Sequence, residues 1–403
     1  MGSEGVATLP RLRVVRPDEV PPAVARARAE RSQRRLLGTL AVSASALTLV
    51  GLVMVLSASS VSSFAEYGSS FLFFKRQLLY AGVGAGVAVV VARIGYQLWQ
   101  KLSLVLLLVV IVLLLLVLHP SLGVVAGGAA RWLSVGPMSV QPSEAAKLAV
   151  IAATASILAR QLHQVHDPMR WVLPIVLIVG VVTALILLQP DLGTAVVIGG
   201  SVFILLFVAG VKLWKLGVVA VLSGLVGTAL ILGEGYRRTR LLSFFHPWAD
   251  PQNTGYQIVQ SLIALGSGGL VGVGLGASRQ KWMYVPNAHT DFIFSILGEE
   301  LGLLGEVVVL ALFGAFLYSG IRIALRARDG FGRLLAAGIT GWLGLQTLIN
   351  LGAVTGLLPI TGVPLPFLSF GGSALVVSLA ATGVLFSIGR TNLVRTRPAK
   401  KRT

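Results

Sequence analysis

The chain has 403 residues, of which 55% are hydrophobic and 12% are charged, and its net charge is +18. This balance excludes a soluble globular protein of that size. Uncharged apolar runs such as residues 102–118 recur along most of the chain and leave no polar helix face, which predicts membrane spans. The runs are too long and too uniformly apolar for barrel strands, so the predicted class is an all-α polytopic membrane protein. The absence of cysteine excludes disulfides and thiolate metal sites.

The chain opens with an Arg-rich stretch, residues 1–35, that has no apolar core. It predicts a disordered cytoplasmic tail rather than a signal peptide. A membrane domain is predicted over residues 36–390 and a second basic tail over 391–403. About ten spans are predicted, at 36–57, 77–93, 102–118, 143–160, 171–189, 191–210, 214–233, 291–321, 334–354 and 370–389.

The distribution of basic residues predicts the orientation of the chain. An even number of spans puts both termini on one side, and placing them inside assigns 24 of the 33 Lys and Arg residues to that side. Both termini are therefore predicted to be cytoplasmic. Because this charge lies beside membrane helices, the expected contact is membrane lipid and not nucleic acid.

Three outward loops are longer than the other connections, at about 119–142, 234–290 and 355–369. The largest, between the seventh and eighth spans, contains the apolar, Gly-rich stretch 256–275. That stretch predicts a re-entrant or surface-lying helix pair.

Asp291 lies at the outer mouth of the eighth span, in KWMYVPNAHTDFIFSILGEELG. For a straight helix that begins at Asp291, a rise of about 1.5 Å per residue places Glu299 about 12 Å deeper and Glu306 about 22 Å deeper. A carboxylate at the mouth is costly, so a general base is one interpretation. Helix capping after Thr290 is the other, and residue type alone favours it. For Glu299 and Glu300, polar contacts between helices are favoured.

The first long outward loop and its surroundings carry two further candidate cations, Arg131 and Lys147. Cations beside an apolar wall suit the diphosphate of a lipid substrate. The alternative for Lys147 is an i,i+3 ion pair with Glu144. Trp132 has two interpretations. It could stack on the face of a sugar ring, or it could belong to the belt of aromatic side chains at the membrane–water interface, which is the favoured interpretation. Asp191 opens a helix, and a structural role is favoured over a ligand role.

Residues of about 40–390 resemble the SEDS family, the polytopic membrane proteins of bacterial cell-wall synthesis. The most specific pieces are GASRQKWMYVPNAHTDFIFSILGEELG and PLPFLSFGGSA. The NAHTDF context and the loop SASSVSSFAEYGSSFLFFKRQ are more similar to the cell-division branch, FtsW, than to the elongation branch, RodA. Asn287 departs from the pattern, because many relatives carry an acid there. The first long outward loop matches the pattern at Gly128, Arg131, Trp132, Gly136, Pro137, Gln141, Pro142, Ser143, Glu144 and Lys147.

This resemblance implies a peptidoglycan glycosyltransferase of the bacterial cytoplasmic membrane that polymerises lipid II into β-1,4 glycan strands at the division septum. The implied partners are a class B penicillin-binding transpeptidase and other divisome membrane proteins. A lipid II flippase and an elongation polymerase are the alternatives. No metal site is predicted and no cofactor is indicated, with a divalent cation left open.

The resemblance implies that Asp291 is the catalytic base. The residues predicted to bind substrate are Arg131, Trp132, Lys147, Lys281, His289, Thr290 and Ser369. Those predicted to form a structural polar network are Gln141, Ser143, Glu144, Asp191, Glu299 and Glu300.

The orientation is testable with a membrane-impermeant thiol reagent, because the native chain has no cysteine. A cysteine at Asn253, in the large outward loop, should be labelled in intact cells, whereas one at Ser32 should be labelled only after lysis. The reverse pattern would invert the predicted topology.

Overall fold

The computed structural model describes residues 22–126, 129–136, 138–161, 169–233, 235–282, 284–286 and 288–394. Within these ranges the protein is a bundle of twelve α-helices with one small β-sheet. In chain order the elements are α1 (Pro22–Tyr67), α2 (Leu72–Arg93), α3 (Gln97–Leu118), β1 (Gly123–Ala126), β2 (Ala129–Val135), β3 (Met138–Val140), α4 (Pro142–Arg160), α5 (Met169–Leu187), α6 (Leu192–Val208), α7 (Leu213–Leu232), α8 (Gly235–Phe245), α9 (Tyr256–Ser267), α10 (Ile293–Arg326), α11 (Gly330–Val354) and α12 (Gly372–Val394).

The predicted spans correspond to helices. Within the described part of the chain, eight helices are long and apolar enough to cross a membrane. Two shorter apolar helices, Trp171–Leu187 and Leu192–Val208, lie at the positions predicted for the fifth and sixth spans. The predicted class, a helical polytopic membrane protein, is confirmed, because uniformly apolar runs satisfy their backbone polar groups only within a helix.

The ends of α1 differ from the prediction. The helix begins at Pro22, so it includes part of the predicted tail, and it continues to Tyr67. Most of the Ser- and Phe-bearing outward loop is therefore helical, and only residues 68–71 separate α1 from α2. Helix α12 likewise continues to Val394, four residues into the predicted second tail. The rest of both predicted tails, and Gly128, Pro137 and Asn287, lie outside the described residues.

The loop before α4, predicted to be outward, contains a β-sheet that the apolar pattern does not predict. Its strands pair antiparallel in the order β1-β2-β3. A break in register between Val124 and Val125 interrupts the first pairing. Residues 123–140 are mostly small or β-branched and the stretch is too short for a span, which is compatible with short strands.

The centre of the bundle is formed by α4, α11 and α12, most of whose side chains are buried, whereas α7 lies at the edge and is almost entirely exposed. Helix α4 contacts α3, α6 and α11, and α12 packs along α2. The small side chains of α4, in EAAKLAVIAATAS, permit neighbours on several sides. This packing brings the amino end of α4, the carboxyl end of α11 and the start of α12 to one end of the bundle.

Helix α10 is broken at Gly302, which has a φ of 65° and a ψ of −169°. The segment 268–276, which we call the glycine-rich segment, lies alongside the break. Its Val273 N donates to Glu299 O at 2.9 Å, and Leu303 N beyond the break donates to Gly269 O at 3.0 Å. These bonds satisfy the polar groups that the break releases, as a buried non-helical backbone requires.

Two predictions are corrected by this arrangement. Residues 256–275 form one helix, α9, followed by the glycine-rich segment, and not a helix pair. The straight-helix depth of Glu306 is also wrong, because the break redirects the helix and places the Glu306 carboxylate against Gly298. Neither feature is visible in local hydropathy, since both depend on the backbone of one segment approaching another.

The break makes Gly302 sensitive to substitution. Gly302→Ala adds a methyl group that meets Gly272 N, at backbone angles that are almost restricted to glycine. We expect a loss of about 1–3 kcal/mol in the free energy of unfolding, measured as a lower melting temperature in detergent.

Gly314→Ala is the matched control, because nothing lies within 4 Å of its added methyl group in the same helix. It should leave stability unchanged or raise it by up to about 1 kcal/mol. Equal melting temperatures for the two variants would contradict the assigned break.

Candidate functional site

Asp291 lies just before α10, which begins at Ile293, two residues later than predicted. Its backbone oxygen accepts a hydrogen bond of 2.9 Å from the side chain of Asn350 on α11. Its carboxylate faces Gly362, where a Cβ atom would lie 3.8 Å from Asp291 Oδ2. The half-buried carboxylate therefore lies between the start of α10 and a second segment of the chain.

That second segment, residues 359–371, is called the proline-rich segment below. It is tied directly to the residues before Asp291: Ser369 Oγ donates to Thr290 O at 2.6 Å, and Phe370 N donates to His289 O at 2.8 Å. Ser369 Oγ also accepts from Leu365 N. The structure thus brings together four residues predicted for the site, Asp291, His289, Thr290 and Ser369, although the Ser369 hydroxyl is occupied by backbone groups.

The His289 ring packs against two aromatic rings, with centroid distances of 4.8 Å to Phe73 and 5.6 Å to Phe370. Burial lowers the pKa of His289 to about 4, so the ring is neutral at pH 7. The unfolded chain binds the proton more tightly, with a pKa of about 6.5. The stability that comes from burying the neutral ring is therefore present above pH 6.5 and is lost as the pH falls towards 4.

Lys147 is buried inside the bundle, with 1% of its side chain exposed. Its Nζ lies 2.8 Å from Glu144 Oε2, donates to Gln346 Oε1 at 2.9 Å, and lies 5.2 Å from the Trp342 ring. Gln346 Nε2 then donates to Pro364 O at 2.8 Å, in the proline-rich segment. This geometry matches the ion-pair alternative and leaves the ammonium group away from any open surface.

Gln141 and Ser143, the two other polar residues predicted near α4, lie at the start of that helix. Gln141 precedes the helix, and its backbone N donates to Ser373 Oγ at 2.9 Å. Ser143, in the first turn, is fully buried. Both lie where the sheet, α4 and the start of α12 meet. The Gln141 contact is made by its backbone, and Ser143 Oγ has no hydrogen-bond partner among the described residues, so the network role of these two side chains stays a prediction.

Arg131 lies on β2 and reaches the turn between α5 and α6. Its Nε donates to Gln189 O at 2.8 Å and its Nη2 to Pro190 O at 2.6 Å. Asp191 in that turn caps α6, accepting from Thr194 N at 3.0 Å, which agrees with its predicted structural role. Trp132 is half-buried beside Arg131 on the sheet. Arg131 therefore fixes a turn, and only part of its guanidinium group remains available to a ligand.

Lys281, Glu299 and Glu300 form a buried cluster between α1 and the glycine-rich segment. Lys281 Nζ lies 3.5 Å from Glu300 Oε1, which accepts from Ser57 Oγ at 2.6 Å. Glu299 accepts from Arg279 N at 2.9 Å. Both glutamates therefore have the polar contacts predicted for them, whereas Lys281 is paired and not an open cation. Among the described residues, no group of three or more His, Asp or Glu is arranged to hold a metal ion.

The amino end of α2 contributes residues that the sequence did not lead us to predict for the site. Phe73 contacts His289, and Gln77 Nε2 donates to Ser369 O at 3.1 Å. Lys75 and Arg76 between them are exposed. The sequence feature that could have indicated these residues is the polar run KRQ directly after an aromatic stretch. In α11, the missed residues Gln346 and Asn350 were detectable as polar residues at i,i+4 spacing in an apolar helix.

Fold and site together define a class of protein: a polytopic membrane protein that holds one carboxylate between a broken helix and a buried proline-rich segment. The chain matches the FtsW, RodA and SpoVE family model, described as cell cycle protein, over residues 38–393. The chain belongs to this family, which confirms the resemblance seen in its motifs.

Individual relatives agree with this assignment. The chain is 45% identical to stage V sporulation protein E of Bacillus subtilis, over 85% of this chain and 94% of the relative. It is 43% identical to the probable peptidoglycan glycosyltransferase FtsW of Geobacter metallireducens, over 85% and 92%.

Solved structures are similar as well. A chain of a peptidoglycan synthase complex that coordinates polymerization and crosslinking gives a TM-score of 0.72 at 33% identity, covering 88% of this chain and 97% of that one. The rod shape determining protein RodA of Thermus thermophilus gives 0.64 at 31% identity, covering 88% and 96%.

The buried ion pair predicts an asymmetric response to substitution. Lys147→Met alone leaves the Glu144 carboxylate buried without its cation and should lower the free energy of unfolding by about 3–5 kcal/mol. Lys147→Met combined with Glu144→Gln removes both charges and should recover most of that loss. Melting temperatures in detergent measure both effects.

Lys212→Met removes an exposed cation just before α7 and serves as the control that should not change stability. A Lys147→Met variant as stable as the parent would show that Lys147 does not hold α4 and α11 together.

Proposed function

We propose that this protein is a peptidoglycan glycosyltransferase that polymerises lipid II into β-1,4 glycan strands during septal cell-wall synthesis. The observation that carries the proposal is the position of Asp291: a half-buried carboxylate at the outer end of α10 that faces Gly362 of the proline-rich segment. Support comes from family membership and from the 43% identity to relatives named as probable peptidoglycan glycosyltransferases.

In the proposed reaction, Asp291 accepts the proton of the acceptor sugar's 4-hydroxyl group. The hydroxyl oxygen forms a bond to the anomeric carbon of the donor sugar. The bond between that carbon and the lipid diphosphate breaks, and the diphosphate leaves with the bonding electrons. Because the attack is in line on an α-linked donor, the product is β-linked, and one base suffices without a covalent intermediate.

The leaving diphosphate needs positive charge at the protein surface. Lys147 and Lys281 are engaged in buried ion pairs, so we assign this role first to Lys75 and Arg76, which are exposed at the end of α2 that contacts His289. An open surface depression of about 600 Å³ lies over one face of α2, lined by Lys75 and by apolar residues including Leu79 and Val83. An apolar surface with a cation at one end suits a lipid tail with a charged head.

The location and the partner follow from the same proposal. The protein would lie in the cytoplasmic membrane with both termini inside and act with a class B penicillin-binding transpeptidase and other divisome proteins. The likeness to a chain of a peptidoglycan synthase complex supports the transpeptidase partner. The 43% identity to relatives named FtsW supports the division branch. The identity to the solved RodA chain is lower, at 31%, and no observation carries a flippase, so neither alternative is proposed.

Asp291→Asn keeps the size of the side chain and removes the base. We expect polymerisation of labelled lipid II by the purified protein with its transpeptidase partner to fall by at least about 100-fold, with normal membrane insertion and melting temperature.

Glu66→Gln neutralises an exposed carboxylate at the outer end of α1 and is the matched control, with activity like that of the parent. Strand synthesis by Asp291→Asn within a few-fold of the parent would exclude Asp291 as the base.

A further inference from the structure

A second cavity, of about 480 Å³, lies in the large loop between α7 and α10. It is formed where α8, the loop before α9 and the start of α9 meet. Thr239 and Ser243 lie one helical turn apart on α8 and so contribute to one face of that helix. The residues that line the cavity include Thr239, Ser243, Asn253, Gln257, Pro286 and Ile360.

The chemistry of the lining is neutral and polar. Hydroxyl and amide groups come from α8, α9 and the intervening loop, and Pro286 and Ile360 add apolar surface. None of the lining side chains that the structure describes carries a charge. Hydroxyls and amides both donate and accept hydrogen bonds, as a ligand rich in hydroxyl and acetamido groups requires. Two of the lining residues also contact an acid, because Asn253 Nδ2 and Thr254 Oγ1 donate to the Asp250 carboxylate at 3.0 Å and 3.2 Å. The hydroxyl and amide groups of the described lining suit a sugar strand.

The cavity adjoins the candidate active site through two chain segments. Pro286 precedes Asp291 by five residues, so the two Cα atoms lie within about 18 Å of each other. Ile360 precedes by two residues Gly362, the residue that faces the Asp291 carboxylate. The volume of the cavity falls in the range of about 300–1,000 Å³ that is usual for ligand sites. A strand whose reacting end is at Asp291 therefore has a neutral polar cavity within reach.

We propose that this cavity is a binding subsite for the growing glycan strand, several sugars away from the reacting end. The proposal rests on the proposed polymerase function and adds the polymer itself as a ligand. A strand held here remains next to Asp291 while the next lipid-linked unit binds. The cavity therefore favours elongation of a bound strand over the start of a new one.

The first experiment compares strand length with substrate consumption. Thr239→Val combined with Gln257→Leu preserves approximate size and removes hydrogen-bonding groups from two walls of the cavity. With labelled lipid II and the transpeptidase partner, we expect the double variant to make strands several-fold shorter than those of the parent. The rate of lipid II consumption should change by a smaller factor. Gln252→Leu, at an exposed neighbouring position outside the cavity lining, is the control and should give parental lengths. Parental strand lengths in the double variant would overturn the proposal.

The second experiment measures binding without turnover. In an Asp291→Asn chain, single cysteines replace Asn253, which lines the cavity, or Gln252, which does not. A lipid-free oligosaccharide of cell-wall disaccharides should slow maleimide labelling several-fold at position 253 and leave position 252 unchanged. Equal labelling rates with and without the oligosaccharide, or equal protection by an α-linked glucose oligomer, would overturn the subsite.

The two experiments also separate this inference from the function on which it rests. Absence of polymer from the parent protein would refute the polymerase, whereas the labelling experiment reports on the cavity regardless of turnover. Polymerisation by the parent without protection at position 253 would refute the subsite alone.

Discussion

The candidate site depends on two side-chain amides of α11. Gln346 donates to Pro364 O, and Asn350 donates both to Val363 O and to Asp291 O. The proline-rich segment is not helical and lies against apolar helices, so its carbonyl groups need partners from elsewhere in the protein. A single such bond contributes only about 1 kcal/mol, but each carbonyl left buried without one costs about 1–3 kcal/mol. One helix face thus fixes both segments that enclose the Asp291 carboxylate.

The buried charges have a related role. Lys147 and Glu144 connect α4 to α11 through Gln346, and Lys281 and Glu300 connect the loop before α10 to Ser57 on α1. Removing such ions from water is expensive, and their mutual attraction offsets that cost only when the geometry is good. Their positions define how the helices pack around the site. The cations at the amino end of α2, Lys75 and Arg76, are exposed and have not been desolvated, which is why the proposed function assigns them the charged part of the substrate.

The broken helix α10 joins the site to the large loop between α7 and α10. Its first part follows directly from Asp291, and the backbone at the break is bonded to the glycine-rich segment. Glycine is required on both sides of this contact, because Cβ atoms at Gly268 and Gly302 would collide with the opposing backbone. The loop that contains α8 and α9 is therefore attached to the helix that follows Asp291. This attachment gives a physical reason for the proposed strand-binding cavity to lie beside the Asp291 carboxylate.

The sequence by itself determined the membrane class, the positions of the spans and the segment that carries the carboxylate. These properties depend on apolar runs and on motifs, which are local in the chain. The partners of the candidate residues were decided by tertiary structure, as Lys147 illustrates: its local partner Glu144 was visible at i,i+3, but Gln346, 199 residues away, was not. Contacts between segments distant in the chain likewise decide the break in α10, the hydrogen bond from the Ser369 hydroxyl to Thr290 O and the cavity between α8 and α9. Hydropathy is a property of one segment, whereas burial and hydrogen bonding are properties of the neighbours that folding brings to it.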